Sequence, residues 1–468
     1  MADVAYIAAA GLSRLIAAGE VDPLDLTRTF LTRVDGVGRA LNCFITVRTQ
    51  SALSDAAAAA QRARSGQRLS ALDGIPVAVK DNMDLAGVPT SNGFGGAPYR
   101  IPDADCEAVR RLRAAGAIVL GKLNMHEGAL GSTNDNPHFG RAINPHREGH
   151  SPGGSSGGSG AAVAAGLCCA ALGTDTGGSV RIPASYCGVV GLKPSYGLIS
   201  PRGVVPLSYR LDHVGVLART VADAAMMLDV LAGFDPACTE SRRGPAGGYG
   251  LGQLGRLEGV RLGVLSNFSS ERQEAAVTAA FASALSRFER LGAVIRPMTL
   301  PTYDAVKGRR AGFVRVEVEA AFVHGDLYKK EPERFSAQMR SYLDYGAKAP
   351  ATQLVRADRL IDAGAFELTQ CFQEVDAIVS PTTPQAAPAF GGDMPDNAGT
   401  NCIPANFAGA PAISVPMGRD ALGRPLGLQI VGPVHEDLRV MEIAAAYEAA
   451  ADDRLLPPPP FGPANAPS

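Results

Sequence analysis

The sequence predicts an α/β fold with a sheet covered on both faces, and two observations carry that prediction. Short apolar runs suited to buried strands alternate along most of the chain with amphipathic segments of helical period. Hydrophobic residues make up 46% and charged residues 19%, enough apolar side chains for a sizeable core and too little charge for disorder. At roughly 150 residues per domain, 468 residues would give about three domains, yet nothing in the pattern forces a split.

In chain order, residues 4–18, 24–35 and 51–66 read as Ala-rich amphipathic helices. Ile75-Pro-Val-Ala-Val-Lys80-Asp81 reads as a short apolar strand with a lysine near its end. Residues 106–115 have helical spacing and stop at Gly116, a residue suited to the left-handed position past a helix; 117–120 follow as a strand. The apolar run 161–173 suits a buried helix and strand. Later strands fall near 261–265, 294–297, 377–380, 412–415 and 428–431, with helices near 220–232, 272–291, 355–374 and 436–450. Gly, Pro and Arg crowd 234–258, which reads as a linker or a long surface loop. The Pro-rich residues 457–468 read as an extended or disordered tail, leaving 1–456 as the folded domain.

Composition removes several function classes. Lys plus Arg is 44 against 46 for Asp plus Glu, a net charge of −2, so a basic nucleic-acid footprint is not expected. There is no Trp and only 6% aromatic residues, which argues against a base-stacking platform. The N-terminus carries Asp3 and no basic residue before its apolar stretch, unlike a secretory signal. The longest uncharged run, 149–174, is mostly Gly and Ser in its first half, so no membrane span is expected. Eight cysteines without a CxxC pair read as reduced, buried thiols of a cytoplasmic protein. The seven histidines form no HExxH, and Pro145 and Gly149 break any helix that would align His146 with His150. Scattered surface or loop positions, and no metal, are the expectation.

Glycine and serine reach an unusual density in SPGGSSGGSG (151–160) and GTDTGGSVRIP (173–183). Three chemistries compete for them. A phosphate loop needs Lys and then Ser or Thr after its last glycine, whereas Gly160 is followed by Ala161. Gly153-Gly-Ser155-Ser-Gly157 matches the G-x-S-x-G nucleophile elbow of an esterase, with His213 or His435 and the neighbouring Asp212 or Asp437 as partners. That motif requires a preceding strand, and residues 147–152 (REGHSP) cannot form one. The third reading makes a lysine the base. Lys80 at the end of an apolar strand could lose its charge on burial, and Ser179 follows Thr176-Gly177-Gly178, whose N–H groups could line an oxyanion site. Taken alone, a solvated lysine and a turn serine fit the same residues.

The segments GIPVAVKDN, GGSSGGSGAAVAAG and ALGTDTGGSVRIPASYCGVVGLKPSYG together resemble the amidase signature family of Ser-cisSer-Lys hydrolases. So do the separations of 75 residues from Lys80 to Ser155 and 24 from Ser155 to Ser179. The resemblance continues in PTTP (381–384), NFAGAPAISVP (406–416) and GLQIVGP (427–433). It implies a single α/β/α domain around a large, mixed, twisted sheet. It also implies that Ser179 is the nucleophile, Ser155 the bridging serine after a cis peptide bond, and Lys80 the base. The N–H groups of Thr176, Gly177, Gly178 and Ser179 would hold the oxyanion, supported by Asn82, Ser156, Asp175 and Arg181. The implied reaction converts a small carboxylic amide to acid and ammonia or amine through an acyl-enzyme, without metal or organic cofactor. No nucleic acid or membrane partner is implied, and a homodimer stays open.

Within that resemblance two branches compete. The amidase subunit of a tRNA-dependent amidotransferase carries Arg-Tyr-Gly after the second core motif and a further Gly-Val-Arg-Tyr-Gly-like segment downstream. This chain reads Ser200-Pro-Arg-Gly203 at the first and shows no counterpart to the second. Asn124-Met-His-Glu127 instead resembles indoleacetamide and mandelamide hydrolases. A free-standing amidase is therefore expected, with Met125, Ala129 and parts of 134–139 lining its pocket.

Overall fold

An 11-stranded sheet runs through the computed structural model, which describes residues 4–245, 247–252, 256–265, 272–392 and 395–451. The strands are β1 (Phe44–Val47), β2 (Pro76–Lys80), β3 (Ile118–Leu123), β4 (Ala170–Asp175), β5 (Val190–Lys193) and β6 (His213–Ala218). They continue with β7 (Arg261–Leu265), β8 (Val294–Met298), β9 (Ala377–Pro381), β10 (Ala412–Arg419) and β11 (Pro425–Val431). Their spatial order is β1-β3-β2-β4-β6-β5-β10-β11-β9-β7-β8. The fold is the expected α/β architecture with a mixed sheet. Parallel trios β3-β2-β4 and β9-β7-β8 flank an antiparallel centre.

The parallel parts arise where a helix returns the chain across a sheet face: Glu107–Ala114 between β2 and β3, and Ala275–Arg290 between β7 and β8. Residues of β2, β3 and β4 are all buried, as expected for strands covered on both faces, and they read as near-continuous apolar runs for that reason. One large apolar cluster unites these strands with the helices at both ends of the chain. Between residues 234 and 258 no helix or strand occurs among the described residues. Tyr249 and Leu257 tie that stretch to the same cluster. The proline-rich residues 457–468 lie outside the described residues.

The sequence pattern does not mark β1, β5 and β6, nor the helices Arg181–Cys187, Ala305–Lys330, Ala337–Lys348 and Ile403–Phe407. The longest of these helices contains Val-Arg-Val-Glu-Val-Glu, whose period of two imitates a strand, and three glycines that lower helix propensity. Two of those glycines serve packing. A Cβ on Gly308 would lie 2.5 Å from Tyr303, and one on Gly312 3.3 Å from Phe407. No helix among the described residues is long and apolar enough to cross a membrane.

Candidate active site

β2 and β4 are adjacent and parallel, so their carboxyl ends place Lys80 and the residues after Asp175 side by side. In open α/β sheets this end of the strands is where ligands bind. Between them enters the Gly/Ser segment, with a cis peptide bond at Gly154–Ser155, followed by the helix Gly157–Ala164. That helix can approach because glycine fills three of its first four positions: a Cβ on Gly158 would sit 2.4 Å from the Asn124 carbonyl oxygen. The Ser156 N–H donates to the Ser179 carbonyl at 3.2 Å, and the His126 N–H to that of Ser155 at 3.0 Å. These bonds join the three segments at one point.

Lys80 is fully buried, and its Nζ donates to Ser155 Oγ at 2.7 Å and to Thr174 Oγ1 at 2.8 Å. Asn82 Nδ2 donates to the same Thr174 hydroxyl at 3.1 Å. Burial pulls the Lys80 amine down to about 7 against the pull of Asp212 and Asp175, whose negative charges favour its protonated form. Two other lysines are equally buried. Lys193 falls to about 7 through burial and nearby Arg181, but its Nζ donates to the carbonyls of Ala410 and Pro194. Lys122 faces Asp81 at 3.2 Å. Of the three, Lys80 alone has a serine hydroxyl in reach.

Below Ser179 lies a buried polar frame. Asp175 accepts from the Gly178 N–H at 2.8 Å, the Val180 N–H at 3.1 Å, and Arg181 at 2.9 and 3.0 Å. Arg181 also donates to Asn406 Oδ1, Gln429 Oε1 and the Cys402 carbonyl, linking this frame to β11 and the segment 402–407. Burial alone would raise the Asp175 carboxyl, but Arg181, Lys193 and Asn406 hold it well below the usual range. Ser156 Oγ donates to the Thr174 carbonyl at 3.2 Å and accepts from the Thr174 N–H at 3.3 Å. The Gly178 N–H, expected among the oxyanion donors, donates to Asp175 in this structure. The N–H groups of Gly177 and Ser179 have no acceptor among the described residues.

A cavity of about 780 Å³ opens above these residues. Thr176, Gly177 and the half-buried Ser179 form its floor, while Lys80 and Ser155 are fully buried and do not line it. Ala129 lines the cavity, as does Asp135 from the 134–139 stretch. Met125 does not: it is fully buried in an apolar cluster with Phe94 and Met339. Sequence reasoning also missed much of the wall, which comes from Leu207, Leu211, Ile403, Phe407 and one face of the helix Ala305–Lys330. No local motif marks those residues.

Two histidines depart from the surface or loop positions expected of them, His213 at the start of β6 and His324 in the helix Ala305–Lys330, whereas His126 lies in a loop. All three are buried, and burial pulls their rings down, to about 4 for His126 and about 3 for His324. His126 reaches the cavity wall. The two histidines that an esterase elbow would need do not reach it. His213 has Nδ1 2.7 Å from the Leu211 carbonyl oxygen, and His435 borders a separate cavity of about 330 Å³. Asp212 was noticed only as a neighbour of His213, yet it accepts from Thr176 Oγ1 at 2.6 Å and from the N–H groups of Leu207 and Ser208. Burial pushes its carboxyl up to about 6.

The family model described as Amidase matches residues 25–441. A glutamyl-tRNA(Gln) amidotransferase subunit from Thermosynechococcus vestitus is 36% identical over 464 residues, covering 93% of this chain and 96% of that one. The native peptide amidase of Stenotrophomonas maltophilia superposes with a TM-score of 0.85 at 31% identity, covering 97% and 98%. A structure reported for a vestigial protein complex that reveals the origins of an s-triazine catabolic enzyme gives a TM-score of 0.89 at 32% identity, covering 96% and 100%.

Proposed function

From the fact that this chain belongs to the amidase family, and is thus an amidohydrolase acting on C–N amide bonds, we propose that it hydrolyses small amides as a free-standing enzyme. The carrying observation is the 2.7 Å contact between the buried Lys80 Nζ and Ser155 Oγ, on a segment whose next residue, Ser156, is hydrogen-bonded through its N–H to the carbonyl of the cavity-lining Ser179.

The chemistry follows from the donor–acceptor inventory. A neutral lysine amine can donate to Thr174 while accepting the Ser155 proton. As Ser155 gives that proton to Lys80, it takes one from Ser179, whose Oγ attacks the amide carbonyl carbon. Negative charge gathers on the former carbonyl oxygen, within the reach of the N–H groups of Thr176, Gly177 and Ser179. Ser155 then gives its proton to the leaving nitrogen and recovers one from Lys80, the C–N bond breaks, and an ester on Ser179 and a neutral Lys80 remain. Water, deprotonated along the same route, attacks that ester, releasing acid and free Ser179. Amide plus water thus becomes acid plus ammonia or amine. Asp175 and Arg181 act at a distance by fixing the loop on which Ser179 sits.

The cytoplasmic setting is supported by eight cysteines that form no disulfide. A second reading, the amidase subunit of a tRNA-dependent amidotransferase, is favoured by the identity to the Thermosynechococcus protein over nearly the whole chain. Against it, Ser200-Pro-Arg-Gly203 is a structural brace: Ser200 donates to Asp235, and Arg202 pairs with Asp235 and Glu107, away from the cavity. The test is ammonia release by the purified chain from a panel such as phenylacetamide and indole-3-acetamide. Turnover by the chain alone is expected. Inertness on that panel, with glutamine hydrolysis appearing once partner subunits and misacylated tRNA are added, would reverse the choice.

A further inference from the structure

The wall of the cavity carries one carboxylate that this chemistry leaves unused. Glu317 sits on the helix Ala305–Lys330, whose residues Val306, Phe313, Val316 and Glu317 all face the cavity. Its side chain is 5% exposed. Its single side-chain partner is Arg310, 3.4 Å from Oε2, at the outer limit of a hydrogen bond. Arg310 is itself 53% exposed and lies over the Tyr345 ring, 4.7 Å from its centroid. Glu317 Oε1 accepts no hydrogen bond from the described residues. Burial raises the carboxyl above its ordinary value and Arg310 opposes that rise only in part.

Other charges on the wall are already satisfied. Arg309 holds Asp396 at 3.0 Å, Asp135 holds Arg141 at 2.9 Å, and His126 is neutral near physiological pH because burial depresses it. Val306, Phe313, Val316 and Phe407 make part of the cavity wall apolar, and Arg310, Gln338 and Tyr342 line it too. A ligand therefore meets, on a partly apolar wall, a carboxylate whose one side-chain partner, Arg310, stands at the outer limit of a hydrogen bond.

We propose that Glu317 selects amides whose acyl portion ends in an ammonium or another cationic N–H donor. The inference rests on the cavity being the amide site, as argued above. In a partly desolvated setting a charge-assisted hydrogen bond to carboxylate is worth more than on the surface. A neutral alkyl end would instead cover the carboxylate and leave Oε1 unpaired, which costs binding energy.

The test uses binding, so that turnover is not needed. In a Ser179→Ala background, calorimetry compares ω-aminoalkanamides of increasing chain length with their ω-methyl counterparts. At least one amino amide is expected to bind about tenfold or more tighter than its methyl counterpart. Glu317→Gln, isosteric and uncharged, should abolish that preference while methyl-amide binding is retained, which also reports an intact fold. Arg310→Gln should preserve or strengthen it. Equal binding of both series at every length, or a preference that survives Glu317→Gln, would overturn the proposal. A binding preference that Glu317→Gln abolishes, found in a chain whose active form hydrolyses no amide, would support Glu317 and count against the hydrolase reading alone.

Discussion

Lys80, Asp175 and Arg181, beneath the cavity, are fully buried, and each makes two or more side-chain hydrogen bonds. Across the cavity, Val306 and Phe313 are exposed, and the Arg310 side chain is 53% exposed with a single ion pair. The floor is thus a polar network in a low-dielectric setting, where each group fixes the charge or position of the next. The wall is a helix surface, where a side chain alters shape and leaves the network untouched. The difference separates two properties: chemistry belongs to the floor, and substrate choice to the wall.

The strongest way to break this division is to change single residues on each side and compare. Ser179→Ala should lower turnover on the order of 10⁴-fold or more, and Lys80→Ala and Ser155→Ala nearly as much, without adding to one another, because they act as a unit. Steady-state rates on one small amide measure this. A loss of similar size from Phe313→Ala would erase the distinction.

Stability should show the same asymmetry at smaller scale. Asp175→Asn leaves Arg181 charged and buried without its anionic partner, which should reduce the unfolding free energy by about 3–5 kcal/mol. Phe313→Ala, at the exposed rim, should stay within about 1 kcal/mol. Urea denaturation of the two variants against the parent chain gives both values.

A subtler change sharpens the electrostatics of the floor. The reactive form needs neutral Lys80, so kcat/KM should rise with pH through about 7 to an alkaline plateau. Asp212 is negative over most of that range, and its charge favours protonated Lys80. Asp212→Asn removes that charge, so the Lys80 amine should fall further and the rising limb should move to lower pH. A limb that stays in place, or moves up, would mean that Asp212 does not act on Lys80.

The same contrast governs what could be read from sequence. The floor was legible because backbone crowding leaves a signature. Gly158 packs against the Asn124 carbonyl, and a Cβ on Gly173 would lie 2.7 Å from Ser156 Oγ, so small residues had to cluster in the two segments. The strand ending at Lys80 was legible because burial on both faces demands an apolar run. The bond from the Gly178 N–H to Asp175 was not, since a TDTGGS string does not say which amide turns inward. The wall left no such mark. Glu317 and Phe313 sit in a helix whose alternating valines obscure its helical period, and Met125 sits one residue from the wall residue His126 yet packs into the core. β5 and β6 escaped notice because each has a glycine within a short apolar run, Gly191 and Gly215.

The central claim is that Lys80, acting through Ser155, activates Ser179, and the reaction of a fluorophosphonate probe tests it most directly. Peptide mapping of the labelled parent chain should find the adduct on Ser179. In Lys80→Ala, folded as judged by circular dichroism, labelling should slow on the order of 10³-fold, because the hydroxyl then lacks its base. An adduct on Ser155 with Ser179 untouched, or labelling of Ser179 at the parental rate without Lys80, would contradict the account.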